Sequence, residues 1–238
     1  MNLTIARITL RALVGRRRIF LLLPFPALVI GLTLLAHALR PERVDVWGQG
    51  IIDGLGFGVM LPMTALIIGT GVLGAEIDDG TIVHILAKPL RRSEIILAKL
   101  AVAAGVTAAV TAVPMFIVGV VADSVRFGIA LAAGCAVGAL AYSAVFLVLS
   151  LLSRRPVLLG LLYVLLWEGL LGNLLASTRV LSIHQYSVTV AARIAPAHLM
   201  ASHVGLPVSI IMSAVILVAG TALAVDRLRS FTLTGETS

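Results

Sequence analysis

The chain has 238 residues, of which 60% are hydrophobic and only 12% charged, and its mean hydropathy is +1.10. A soluble domain is about 45–50% apolar and about 25% charged, so an ordinary core could not hide this much apolar surface, and the composition is that of a membrane protein. The net charge of +7 does not point to nucleic acid, because the Lys and Arg residues sit beside apolar runs, where they set orientation in a bilayer.

The first 18 residues predict a helix lying on a membrane surface. Leu3, Ala6, Leu10, Leu13 and Val14 share a stripe edged by Arg7, Arg11 and Arg18, and arginines there can meet lipid phosphates. Arg16-Arg17-Arg18 ahead of Ile19–Leu35, with Ala36-His37-Ala38 beyond, imitates a secretory signal. The long leader and the further apolar runs favour an uncleaved first span.

A span takes about 20 mostly apolar residues. Six runs qualify, at about 19–39, 55–75, 95–121, 127–152, 157–175 and 208–225. If both termini are cytoplasmic, 13 of the 18 Lys and Arg residues fall inside and 5 outside. That bias predicts N-in, C-in topology, with residues 1–18 and the tail 226–238 on the cytoplasmic side. The expected fold is therefore all-α, a polytopic bundle of six transmembrane helices.

Pro24 and Pro26 predict a kink or a late start in the first span. The second has Gly54 and Gly58 at GxxxG spacing, a weak helix-packing signal, and Pro62 and Pro114 can kink the second and third spans. Ala130, Gly134 and Gly138 at four-residue steps form a better packing face on the fourth. Cys135, the only cysteine, reads as a small packing residue.

Between spans two and three lies a polar island, Glu76–Ser93, with six charges: Glu76, Asp78, Asp79, Lys88, Arg91 and Arg92. Asp78-Asp79-Gly80 is a turn signal. Thr81–Ala87 places Ile82, Ile85 and Leu86 on one helical face. Pro89 stops it, and Ser93 can cap the next helix. The positive-inside count puts this island in the cytoplasm.

Glu168, beside Trp167, sits near the middle of the fifth run. A carboxylate at mid-bilayer costs about 2.5–3.5 kcal/mol on insertion scales, so it should face protein or water. It is either a polar anchor in a substrate or proton path, or a hydrogen-bonded strut between helices. The following stretch, 176–207, predicts short amphipathic helices at the outer surface, with Ile183, Tyr186, Val190 and Ile194 at helical steps. Its His184, His198 and His203 lie 14 and 5 residues apart without cysteine or paired carboxylates, a poor metal set; no metal is expected.

No GxxxxGK[ST], GxSxG or HExxH occurs, and no nucleophile with a base stands out, so the chain is not expected to be an enzyme. Transport or a structural role remains.

The ordered run Glu76, Gly80-Thr81, Leu86, Pro89, Arg92 and Lys99 resembles the signature of type-2 ATP-binding-cassette permeases, the six-span half-transporters of exporters. The stretch Trp167-Glu168, Leu181-Ser182 and Gln185-Tyr186 is similar to a branch common in high-GC bacteria, which the use of 16 Arg against 2 Lys fits. The resemblance implies a permease in the bacterial cytoplasmic membrane, dimeric with itself or a similar permease. It further implies two copies of an ABC ATPase subunit, which bind the ATP and Mg; this chain would carry no cofactor. Thr81–Ala87 matches the coupling helix that docks in the ATPase. Ile82, Ile85 and Leu86 would supply apolar contact, Asp78, Asp79, Arg91 and Arg92 a polar rim, and Glu76 and Lys99 an ion pair that stiffens the link. A hydrophobic or amphiphilic substrate is expected. The rivals are an ion-gradient carrier using Glu168 and a non-transporting assembly or immunity protein.

Overall fold

The structure, a computed structural model, describes residues 3–14, 22–78, 92–153, 155–171, 180–195, 200 and 202–230. It is all-α: among the described residues there is no strand. The helices are α1 (Leu3–Val14), α2 (Pro24–Leu39), α3 (Val44–Gly48), α4 (Leu61–Asp78), α5 (Arg92–Ala122), α6 (Val125–Leu152), α7 (Pro156–Leu162), α8 (Ile183–Ile194) and α9 (Leu206–Ser230). A π-helical stretch, Gln49–Met60, joins α3 to α4, and a second, Tyr163–Leu171, extends α7.

Four stretches are long and apolar enough to cross a membrane: Val44–Gly74, Arg92–Ala122, Val125–Leu152 and Leu206–Leu228. Pro24–Leu39 and Pro156–Gly169 are shorter apolar helices, each beside residues outside the description. α2 starts late, with Pro24 in its first turn, where a missing N–H costs nothing.

The second long helix begins at Val44, well before the expected Leu55. Asp45, Gln49 and Asp53 interrupt the apolar pattern at four-residue steps, so they occupy one face of a continuing helix while Ile51 and Ile52 behind them are buried. Its π register has a local rationale. Pro62 has no N–H and its ring crowds the carbonyl four residues back; just before it, the Leu61 N–H reaches five residues back to Gly56 O.

α6 is the centre of the bundle, packing on α4, α5, α7, α8 and α9. Small residues make this possible. A Cβ on Gly119 or Gly128 would strike the backbone of the other helix at 2.5 and 2.6 Å, so α5 and α6 touch at their glycines. Ser124 caps α6, its side chain accepting the Phe127 N–H at 3.2 Å. Cys135 is buried within α6. By contrast α9 is only 17% buried over its span, against 67% for α6, and Ile211 and Val218 lie on its exposed apolar surface.

α1 packs on α4 and α5. Leu13 leans on the cluster around Ile68, Ile95 and Leu151, but Ile8 and Leu10 are exposed and Thr9 is buried. The face turned to the bundle is thus rotated from the apolar stripe of the sequence, leaving Ile8 and Leu10 free to meet lipid.

Candidate functional site

Two regions concentrate polar chemistry at opposite ends of the α4 helix. At its C-terminal end, α4 leads into residues 79–91 and α5 leads out. Asp79, Gly80, Thr81, Ile82, Ile85, Leu86, Pro89 and Arg91 lie outside the described residues. Glu76 and Asp78 are on the last turn of α4 and Arg92 opens α5; the side chain of Glu76, and with it the expected ion pair, lies outside the description.

Lys99 is placed clearly. It is 1% exposed, and its Nζ donates to Val72 O at 3.0 Å. An ammonium is almost never fully buried unless paired, and this one ties α5 to α4 one turn before Glu76. The two helices that carry the link are therefore joined through a charge-assisted hydrogen bond beside Leu73, Ile95 and Ile96, which are buried.

The other region is a cavity of about 680 Å³ bordered by both π-helical stretches and by α8. Its polar lining gathers at one end: Gln49, Asp53, Glu168, Ser182, His184 and Gln185. Its apolar lining follows the chain away from them, with Val59 and Met63 beyond Asp53, and Leu161, Val164 and Leu165 before Glu168. π-helical turns are rare and recur at functional sites.

Glu168 binds the start of α8. Its Oε1 accepts the Ile183 N–H at 2.9 Å and the Tyr163 hydroxyl at 3.4 Å, and its Oε2 accepts the Ser182 hydroxyl. Three donors on one side chain are what an acceptor-only carboxylate satisfies, and a carboxylate at a helix N-terminus complements its dipole. Ser182 also accepts from the Gln185 N–H at 3.3 Å, so α8 is capped twice. At its other end Arg126 Nε donates to Ile194 O at 3.0 Å, where a cation is favoured. Glu168 is thus hydrogen-bonded to the start of α8 and at the same time lines the cavity.

α8 is more buried than an outer amphipathic helix should be: Ile183, Tyr186, Ser187, Val188, Thr189 and Ala191 are all buried. The reason is the small-residue face of α6. A Cβ on Gly134 would lie 2.5 Å from Ser187 O, and one on Gly138 would strike the Ser187 hydroxyl. Gly54 behaves differently from its GxxxG spacing. A Cβ there meets nothing within 4 Å, and the nearest atom to one on Gly58 is Asp53 O of its own helix; both glycines line the cavity.

His184 Nε2 lies 3.1 Å from Asp53 Oδ1 and 3.3 Å from Asp53 O. The first is a charge pair outside hydrogen-bond geometry, since Oδ1 accepts no hydrogen bond. Burial disfavours the charged imidazole, but the Asp53 side chain and backbone carbonyl, with Glu168 behind, outweigh it and raise His184 above its ordinary 6.5. His203, whose N–H reaches Gln185 Oε1 at 3.5 Å, lines the same cavity; His198 lies outside the description. Among the described residues no three His, Cys, Asp or Glu side chains are grouped to hold a metal ion.

The raised value fixes a sign. The folded state holds the His184 proton more tightly than the unfolded chain, so the pair's contribution is complete below about pH 6.5 and is lost as pH rises through the higher folded value. Thermal unfolding of the purified protein from about pH 5 to about pH 8 should show a melting temperature that begins to fall only above about pH 6.5. His184→Gln should flatten the fall; an unchanged slope would remove His184 as its source.

Asp53 and Gln49 were not legible as site residues, although Asp45, Gln49 and Asp53 at four-residue steps were the available signal. No curated protein matches the chain. A family model described as ABC-2 family transporter protein matches residues 14–177, a range that takes in α2 to α7, the link and Glu168. The match covers well over half of the chain, which therefore belongs to the ABC-2 transporter family as a multi-pass membrane component, the permease part of a transporter.

Proposed function

We propose that the chain is the transmembrane permease subunit of an ATP-driven exporter, worked by a separate ABC ATPase that binds ATP and Mg. The observation that carries this reading is the buried Lys99 bond to Val72 O. It joins the helices entering and leaving residues 79–91, and both pack on the central α6. A push on the link therefore reaches the centre of the bundle through packed helices. Glu76, Asp78, Asp79, Gly80, Thr81, Ile82, Ile85, Leu86, Pro89, Arg91, Arg92 and Lys99 make up the coupling region, with Thr81–Ala87 as its docking helix.

Six spans, N-in and C-in in a bacterial cytoplasmic membrane, put that link beside a cytoplasmic ATPase and both π-lined walls of the cavity toward the outside. The active assembly has two ATPase subunits and a second permease, identical or homologous, for which the exposed apolar side of α9 offers a surface. A hydrophobic or amphiphilic substrate passes between the two permeases.

The test is energetic. In vesicles carrying the permease and its ATPase, substrate movement should stop when the ATPase is made unable to hydrolyse ATP, and continue when a protonophore collapses the proton gradient. The opposite pair of results would select a carrier driven through Glu168. ATPase binding with no substrate movement in any condition would select an assembly or immunity role.

A further inference from the structure

The cavity at the α8 end of the bundle has an arrangement that specifies a ligand. Its two ends differ in kind. Gln49 and Asp53 precede Val59 and Met63 along one wall, and Leu161, Val164 and Leu165 precede Glu168 along the other. The two walls agree, so polar groups meet at one end and apolar groups at the other. Asp53 and Met63 are ten residues apart, under about 15 Å because the π-helical part rises less than the 1.5 Å per residue of an α-helix, a depth that a single dodecyl chain covers. The volume of about 680 Å³ falls within the usual range of small-molecule sites, about 300–1,000 Å³.

The charge of the polar end is equally specific. The chain as a whole carries +7, yet the charged side chains lining the cavity are two acids, Asp53 and Glu168, with His184 and His203 and no Lys or Arg among the described lining residues. Glu168 is engaged by Tyr163, Ser182 and Ile183. The Asp53 side chain is 25% exposed and lines the cavity, while its Oδ1 is buried against His184. An anionic head would face the Asp53 and Glu168 side chains with no Lys or Arg among the described lining residues, whereas a protonated amine would find an acceptor in Asp53 and further partners in the side-chain amides of Gln49 and Gln185.

From these observations we infer that the cavity binds a single-chain amphiphile with a protonated amine head, the head at Asp53 and the chain along Val59, Met63 and Leu165. A diacyl lipid with an amine head is a poorer fit, because its phosphate would have no Lys or Arg to meet among the described lining residues. The inference deepens the exporter reading by naming a class of substrate, and rests on it only for passage across the membrane.

Binding is measured without nucleotide or ATPase, so its failure and the failure of the exporter reading are separate results. The chain in phosphatidylcholine nanodiscs is titrated with radiolabelled dodecylammonium, and uptake by empty discs is subtracted. A saturable component is expected with dodecylammonium and none with dodecyl sulfate. Asp53→Asn should weaken it at least about tenfold, the scale of one charged hydrogen bond. Gly54→Leu serves as a second variant. Its new side chain enters open space, so it should fill the cavity and reduce binding to a similar degree without disturbing a helix contact. Phosphatidylethanolamine in the discs should not compete. The inference is overturned by the absence of a saturable component, by equal binding of the sulfate, or by Gly54→Leu binding like the wild type. Competition by phosphatidylethanolamine would overturn the assignment to a free amphiphile.

Discussion

Replacing Ile82, Ile85 and Leu86 together with aspartate should release the ATPase subunit from the membrane complex and stop ATP-driven transport. The argument begins with spacing. In the docking helix proposed between Gly80 and Pro89, positions 82, 85 and 86 would share one side, and apolar side chains grouped in a charged link need a surface to cover them. Burying a Leu or Ile side chain is worth about 1.5–3 kcal/mol. Three such losses, about 4.5–9 kcal/mol, weaken binding by about a thousandfold or more at 1.4 kcal/mol per tenfold, before the cost of three carboxylates in an apolar groove. Co-purification on a tag carried by the permease reads this directly, and the variant should still elute as a folded membrane protein because the substitutions leave every described helix unchanged. Asp79→Asn, on the polar rim, should change retention of the ATPase far less, as rim contacts contribute little. An ATPase that stays bound to the triple variant would remove this segment from the coupling role.

Composition and charge placement made the membrane character and the helical fold legible, because no other environment accommodates 60% hydrophobic residues. Glu168 was legible as an exception for the same reason, but its partners were not. Two of the three are a backbone N–H and a hydroxyl about 15 residues further along the chain, at the start of a helix, and no spacing rule pairs a mid-span acid with a later helix terminus. Asp53 was hidden by the method of finding spans. Polar residues depress a hydropathy window, so Asp45, Gln49 and Asp53 fall outside the apolar run at 55–75, although they mark where a helix borders a polar cavity. The two glycine patterns show how little a motif says about its neighbours. Gly134 and Gly138 meet another helix, while Gly54 faces open space and Gly58 meets only Asp53 O of its own helix, and the difference lies in what the rest of the chain brings to each face.

That difference makes Gly134→Leu the substitution with the largest expected effect on the fold. The carbonyl of Ser187 is the nearest obstacle to a Cβ at this position, at 2.5 Å, with Ala191 Cβ and Phe57 Cζ at 3.1 Å. A side chain can rotate away from a clash, but a backbone oxygen within a helix cannot move without moving the helix. α8 would have to leave its seat on α6, and both of its ends are tied: Ser182 and Ile183 to Glu168, and Ile194 to Arg126. Overpacking a core commonly costs about 1–3 kcal/mol and sometimes more; with backbone on the receiving side, about 3 kcal/mol or above is expected. Displacing α8 also carries His184 away from Asp53, so the polar end of the cavity should be lost in any fraction that still folds. Gly105→Leu is the matched control. It sits in another long helix, on an exposed face where a Cβ meets nothing within 4 Å, and should be tolerated. Thermal unfolding followed by size exclusion should separate the two variants clearly, with Gly134→Leu aggregating or melting well below the wild type. Equal stability would mean that α8 is not held against α6 through this face, and the cavity would lose the wall on which its chemistry depends.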